Sequence, residues 1–377
     1  MQQSAHRQFW QLLRSREGAG VILMAGGSAI AMGVVPNLLE KLWDSAWFFS
    51  LVGMGMLLVV VLGWTLLRTR GVGVIIPLYP DPQDTRVTTM TEASKKNHTS
   101  TLVINQKLLR PGGRELSPDA RMDLVANLID ARVQEIKTSG AEDSVALYPL
   151  ASMYDGFHLG HRLSQHAYSS LSVMHYSGAA GQSVIPGLTL GSHLRAPLDP
   201  AQESLLIAHL QQAPGAGDPA PVAHPTCPAE HQHRLAFIVR LSPAGTMVAD
   251  ASEVARTGLI RRSSDSTHTG YIFNPEDQEA TGNPCGAHAV LETSSVRLPE
   301  TRQAFEAVAN YTYRSLIAAK EAWAEQSGSA DIAIQLFINA PLPITIALGW
   351  LTRNDRVTVV RHDMRLTNTA ATAGQLP

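Results

Sequence analysis

Two stretches, VALYPLASMYDGFHLG at residues 145–160 and IQLFINAPLPITIALG at residues 334–349, are related by a shift of 189 positions. The shift sets Leu147 on Leu336, Tyr148 on Phe337, Ala151 on Ala340, and Leu159-Gly160 on Leu348-Gly349. Each reads as a short apolar run, a turn, and a helical stretch, which is one βα unit. Working outward, the same order of elements surrounds both. The run TLVI (101–104) comes first. Ser117-Pro118 then opens a helix, Ser as N-cap and Pro at the first helical position, with Met122, Val125, Leu128, Ile129, Val133 and Ile136 at helical spacing. VALYPL, a helix at 157–165 and SLSVMH (170–175) complete the first half. The second half repeats the pattern with LAFIVRL (235–241), a helix at 299–325, AIQLFI (333–338), a helix at 344–351 and VTVVR (357–361).

Strand, helix, strand, helix, strand, twice over, predicts a duplicated α/β domain with parallel, Rossmann-like sheets. The first half is expected at 101–210 and the second at 234–377. Residues 71–100, Pro- and Thr-rich, read as a linker, and so does the Pro/Gly/His-rich stretch 211–233. Residues 243–298 read as an irregular insertion.

The 377 residues are 45% hydrophobic but only 16% charged, below the ~25% of an average soluble protein. Much of the deficit lies in two uncharged runs, residues 18–39 and 45–67. Each matches the ~20 apolar residues that span a bilayer, so a transmembrane helical hairpin is expected over residues 1–70. Ala25, Ala29 and Gly33 form a row of small residues suited to helix contact. Arg7, Arg14 and Arg16 before the first run, and Arg68 and Arg70 after the second, place both termini in the cytoplasm and the chain in the inner membrane as a multi-pass protein. Beyond position 70 the chain holds 24 basic and 29 acidic residues. Such a mildly acidic domain is a poor partner for long nucleic acid, and any nucleotide it recognises is expected to be small and pocketed. Two cysteines, Cys227 and Cys285, make no disulfide framework and point to a reducing compartment.

His224, Cys227, His231 and His233 are zinc-binding residue types, but they sit among Pro, Ala and Gly without a rigid frame, and an unliganded loop is the simpler reading; no metal is expected. Cys285 in GNPCGAH has no nearby base to lower its thiol pKa. No G-x-S-x-G, H-E-x-x-H, P-loop or G-x-G-x-x-G occurs, so no catalytic residue and no cofactor are assigned. What the fold class offers is the carboxyl edge of its strands, where loops and helix N-termini present N–H groups to anions. The candidate ligand-binding residues on that edge are Asn105, Gln106, Lys107 and Arg110 after the first strand, and Tyr148, Ala151 and Tyr154 at the second. In the second half they are Arg240, Ser242, Asn339 and Pro341. An enzymatic alternative, a membrane-tethered nucleotide-binding enzyme, would use Lys107 with His158 or His161.

The unit IAIQLFINAPLPITIALGWLTRNDRVTVVRHD (332–363) resembles the closing segment of the SAVED domain: an apolar strand, a small-residue and Pro turn, a helix with Leu348-Gly349, and a last strand. SAVED domains are two fused CARF-like halves, and the duplicated unit VALYPLASMYDGFHLGHRL (145–163) agrees with that. With the expected hairpin, the chain resembles the membrane-anchored SAVED effectors of bacterial CBASS anti-phage defence. The resemblance covers most of residues 100–365 and implies a non-catalytic sensor. Its ligand would be a cyclic oligonucleotide, a cyclic trinucleotide first among them, made by a partner CD-NTase, and the enzymatic alternative would then be a cyclic oligonucleotide hydrolase or ring nuclease. Binding would drive homo-oligomerisation, and the hairpin would disrupt inner-membrane lipid in abortive infection.

Overall fold

The computed structural model describes residues 54–55, 58–59, 71–78, 85–98, 100–105, 107–109, 116–138, 144–166, 168, 170–178, 183–215, 218–242, 245–258, 271–272, 284–294 and 297–362. The duplicated fold belongs to the unit formed by Gly71–Lys96 and Ser100–Pro377; Met1–Arg70 and Asn97–Thr99 form a separate unit.

The first half opens with β1 (Val72–Pro77), α1 (Thr85–Asn97), β2 (Ser100–Val103), α2 (Pro118–Thr138), β3 (Ser144–Leu150), α3 (Met153–Leu163) and the hairpin β4 (Ser170–Ser177) and β5 (Ser183–Leu190). Helix α4 (Pro200–His209) and the short β6 (Val222–Ala223) lead to the second half. There follow β7 (Arg234–Arg240), α5 (Met247–Thr257), β8 (Tyr271–Ile272), β9 (Ala287–Glu292), α6 (Arg302–Ser327), β10 (Ala333–Asn339), α7 (Leu342–Leu351), β11 (Val357–Val359) and β12 (Arg361–His362). One sheet has the order β2-β1-β3-β4-β5, the other β11-β10-β7-β9-β6, and β8 pairs with β12. Strands β2-β1-β3-β4 and β9-β7-β10-β11 are parallel throughout. They are therefore the same four-strand unit made twice, and each sheet adds one antiparallel strand at the opposite end, β5 beside β4 and β6 beside β9.

Both sheets are covered on two faces, so their central strands are continuous apolar runs. Val72, Val74 and Ile76 of β1, with Leu235, Phe237 and Val239 of β7, enter one core that runs through both halves and includes α2, α3, α6 and α7. The alternate residues face outward: Ile75 and Tyr148 pack on Met90 of α1, and Ala236, Ile238 and Phe337 pack on Ala251 and Val254 of α5. Local chemistry fixes the helix ends. Ser117 accepts from Ala120 N–H at the start of α2, Thr301 caps α6, and Asp199 and Gln202 form a reciprocal capping box on α4. Gly258 and Gly328 close α5 and α6 at φ +69° and +68°.

Several sequence expectations are corrected. The region expected as a linker at 71–100 contains β1, the central strand of its sheet, and α1; the first half begins at residue 72 rather than 101. The counterpart of LAFIVRL is thus VGVIIP (72–77), while TLVI corresponds to β9, inside the stretch read as an irregular insertion. The linker expected at 211–233 likewise carries β6. The transmembrane hairpin and multi-pass inner-membrane placement are also corrected: among the described residues no helix is long and apolar enough to cross a membrane. The two runs themselves, 18–39 and 45–67, lie outside the described residues apart from Met54–Gly55 and Leu58–Val59, which are helical. The most apolar described helix, α7, has ten residues, half of what a bilayer requires, and its apolar surface is buried in the protein core.

Candidate functional site

Helices α3 and α7 lie side by side in the same sense, and their contact organises the site. Thr345 Oγ1 is 3.3 Å from Met153 Sδ near their N-terminal ends. Further along, a Cβ on Gly160 would lie 1.9 Å from the carbonyl oxygen of Ile346, and one on Gly349 would lie 2.0 Å from that of Phe157. The shift of 189 exchanges these pairs, Phe157 becoming Ile346 and Gly160 becoming Gly349. The halves are therefore related by an internal two-fold axis between α3 and α7, and the two glycines permit the close approach of backbones that creates it.

Because both helices start at the same end, the carboxyl ends of both sets of parallel strands open on one face. A bond across the halves agrees with this: Ser177, at the end of β4, donates its hydroxyl to Glu300, between β9 and α6.

On the first half, Asn105 follows β2 and its Oδ1 accepts from Lys107 N–H at 2.9 Å, both residues being exposed. Ala151 lies in the turn between β3 and α3, with Tyr154 on the first turn of α3. On the second half, the carbonyl of Asn339 accepts from the N–H groups of Leu241 and Ser242, at 2.8 and 3.1 Å, which ties the ends of β7 and β10 together. Pro341 precedes α7. Arg240, Glu292 and Asn339 end three adjacent strands in register and so share a sheet face. The fold thus brings Asn105, Lys107, Ala151, Tyr154, Arg240, Ser242, Asn339 and Pro341 to one end of the molecule. Tyr148 is fully buried in the outer core of the first sheet, against Ile75 and Met90. Gln106 and Arg110 lie outside the described residues.

The electrostatics of this face depend on partners that the sequence reading missed. Arg121 of α2 pairs with Asp155 on the first turn of α3, and Asp155 also accepts from the Ser152 hydroxyl at 2.8 Å. Arg240 Nε donates to Glu292 Oε2 at 3.0 Å, and Arg297 pairs with Glu300. The helix starts differ as well. Ser152 caps α3, and Asp155 puts a negative charge at its positive end, whereas α7 has no side-chain cap and no acidic residue in its first turn. Beside Tyr154 lies His158, ring centroids 4.4 Å apart. Burial holds its pKa below the usual imidazole value, against the opposing pull of Asp119 and Asp155, and among the described residues its Nε2 has no hydrogen-bond partner.

Of the His/Cys residues, His224 and Cys285 are tied into a buried hydrogen-bond chain. His224 bonds through Nδ1 to the carbonyl of Cys285 at 2.9 Å and through Nε2 to His288 Nδ1 at 2.7 Å. Cys285 is fully buried, donates to Gln335 Oε1 at 3.3 Å, and has its thiol pKa pushed up by burial, which makes it a poor nucleophile. Among the described residues no group of three or more metal-ligating side chains is placed to hold an ion. A cavity of about 250 Å³ lined by Leu198, Glu203, Asp218, Tyr311 and Arg314 sits beside the middle of α6 rather than at the strand ends.

No protein-family model matches this chain, and no curated protein matches it. Its structural neighbours are SAVED/CARF-domain receptors. They include the Acinetobacter baumannii Cap4 SAVED/CARF-domain containing receptor with the cyclic trinucleotide 3'3'3'-cAAA, at 9% identity and a TM-score of 0.38 over 79% of this chain and 49% of that one. The same receptor with 2'3'3'-cAAA gives the same values. The Moraxella osloensis Cap4 SAVED/CARF-domain containing receptor matches at 10% identity and a TM-score of 0.36, over 78% and 47%. The chain spans about half the length of these receptors, and likenesses so distant assign neither a family nor a site residue.

Proposed function

We propose that this chain is a non-catalytic sensor of a cyclic oligonucleotide, bound across the internal two-fold axis where the carboxyl ends of both sheets meet. The observation that carries the reading is the exchange of contacts between α3 and α7, Gly160 on Ile346 and Gly349 on Phe157, which turns two strand-end edges toward one face. A cyclic ligand with phosphates spread around a ring suits a face that presents polar groups on both sides of an axis. The Leu342 N–H at the uncapped start of α7, the amide of Asn339 and the exposed Lys107 supply donors for phosphate or base edges, while Pro341 and Pro343 carry no N–H and those of Ile344 and Thr345 donate to the Pro341 carbonyl. The resemblance of residues 332–363 to the closing SAVED segment adds the biological setting. The ligand is a cyclic trinucleotide or a close relative made by a partner CD-NTase in CBASS defence against phage, and binding changes the oligomeric state. The test is calorimetry of the full chain against cyclic di-, tri- and tetranucleotides, with mass measured by light scattering before and after. Binding of one class with the ligand recovered intact supports the reading; turnover of the ligand replaces it with a hydrolase, and no binding across the panel refutes it.

A further inference from the structure

The three described Arg–carboxylate pairs of the strand-end face are not equivalent. Asp155 is 8% exposed and engaged with Ser152 in capping α3 as well as with Arg121. Glu300 also takes the Ser177 hydroxyl and lies 4.0 Å from His175 Nε2. Glu292 is simpler: its carboxylate is held by Arg240, while its backbone N–H donates to Gln212 Oε1 at 3.0 Å. The two side chains end neighbouring parallel strands in register and keep 25% and 18% of their surface exposed.

We propose that Glu292 is a built-in competitor for ligand phosphate: it occupies the Arg240 guanidinium in the free protein, and the ligand binds by exchanging carboxylate for phosphate. This inference rests on the strand-end face being the cyclic oligonucleotide site. A guanidinium presents one fork of N–H donors that fits carboxylate and phosphate alike, so the two anions compete for the same groups. Because the ligand must displace Glu292 before it can reach Arg240, the pair raises the ligand concentration needed for half-saturation above that of a bare arginine. It also blunts the salt dependence of binding, since a paired arginine presents little net charge for salt to screen.

The test is calorimetry on the full chain, with 3'3'3'-cAAA as first probe and the tightest binder of the cyclic di-, tri- and tetranucleotide panel as second. It compares wild type, Glu292→Gln, Arg240→Gln and the double variant at several salt concentrations, with circular dichroism confirming the fold of each. Glu292→Gln is expected to bind about tenfold tighter, in line with freeing one charge-assisted contact, and its affinity should fall more steeply with added salt than that of wild type. Arg240→Gln should weaken binding, and the double variant should bind no more tightly than wild type, because the gain of Glu292→Gln comes from the guanidinium it frees and without Arg240 only the repulsion of an unpaired Glu292 is relieved. Equal or weaker binding by folded Glu292→Gln, or a double variant that keeps the gain, overturns the inference while leaving the site intact. Failure of both wild type and Glu292→Gln to bind any probe refutes the cyclic oligonucleotide reading itself and the inference with it.

Discussion

Replacing Gly160 with Ala adds one methyl group at the internal two-fold axis. The new Cβ would lie 1.9 Å from the Ile346 carbonyl oxygen and 2.8 Å from its carbon, roughly 1.5 Å short of ordinary contact. The obstacle is backbone, so no side-chain rotation relieves it, and α3 and α7 must move apart in the middle of the shared core. Overpacking of this kind costs about 3 kcal/mol, which should lower Tm by roughly 5–10 °C. In an unconstrained helix interior the same change would instead stabilise by about 1 kcal/mol, so the sign of the effect is diagnostic. Thermal unfolding of the full chain, followed by circular dichroism, reads it directly. Gly178→Ala and Gly245→Ala serve as controls, since a Cβ there meets nothing within 4 Å. Gly349→Ala should cost a similar amount, its Cβ meeting the Phe157 carbonyl oxygen at 2.0 Å. The double variant should cost less than the sum, because helices already separated by one methyl accommodate the second. A Gly160→Ala protein as stable as wild type would refute the close two-fold packing of α3 on α7.

Three further outcomes are expected. Arg121→Ala leaves Asp155 buried without its guanidinium and should destabilise by about 3 kcal/mol in denaturant titration, because an unpaired buried charge is costly; a loss below about 1 kcal/mol would show the pair to be incidental. Burial holds His158, His175, His224 and His288 below the usual imidazole pKa. Their stabilising contribution is thus complete above the unfolded value near 6.5 and is lost as pH falls below it, where the unfolded chain takes up more protons. Denaturation at pH 7.5, 6.5 and 5.5 should show falling stability, flattened by His288→Gln, whereas stability that holds or rises on acidification contradicts this. Asn339→Ala removes a side-chain donor at the strand-end face but keeps the backbone carbonyl that joins Leu241 and Ser242, so ligand affinity should fall severalfold with Tm nearly unchanged; an equal loss of both would mark the residue as structural.

The α3–α7 relationship was legible because it rests on pattern: two apolar strands, two turns, and a Leu-Gly pair repeated at one offset. The strand VGVIIP escapes a sequence reading because it adjoins a Pro- and Thr-rich stretch that reads as linker, and a strand buried on both faces has no alternation to reveal it. Helix α1 was read as linker because its Thr-rich sequence has weak helix propensity and buries only Met90 and Ser94. Strand β9 was hidden in a stretch rich in Ser, Gly and Pro; AHAVLE alternates buried and half-buried residues, but it is too short to stand out. At the site, strand ends were located from the order of elements, yet the pairing of Arg240 with Glu292 was not, since 52 residues separate partners that only sheet register brings together. Tyr148 was misplaced for the same reason. Its position in β3 is readable from the sequence, but which face of the sheet it occupies depends on α1, whose Thr-rich sequence does not announce a helix.

The most direct measurement is the stoichiometry of ligand binding by the full chain. A site shared across one internal two-fold axis takes one cyclic oligonucleotide per chain, and the bound ligand should be recovered chemically intact from the complex. Two equivalent ligands per chain, one for each half, or the absence of binding across cyclic di-, tri- and tetranucleotides, would contradict a single shared site at the meeting of the two sheets.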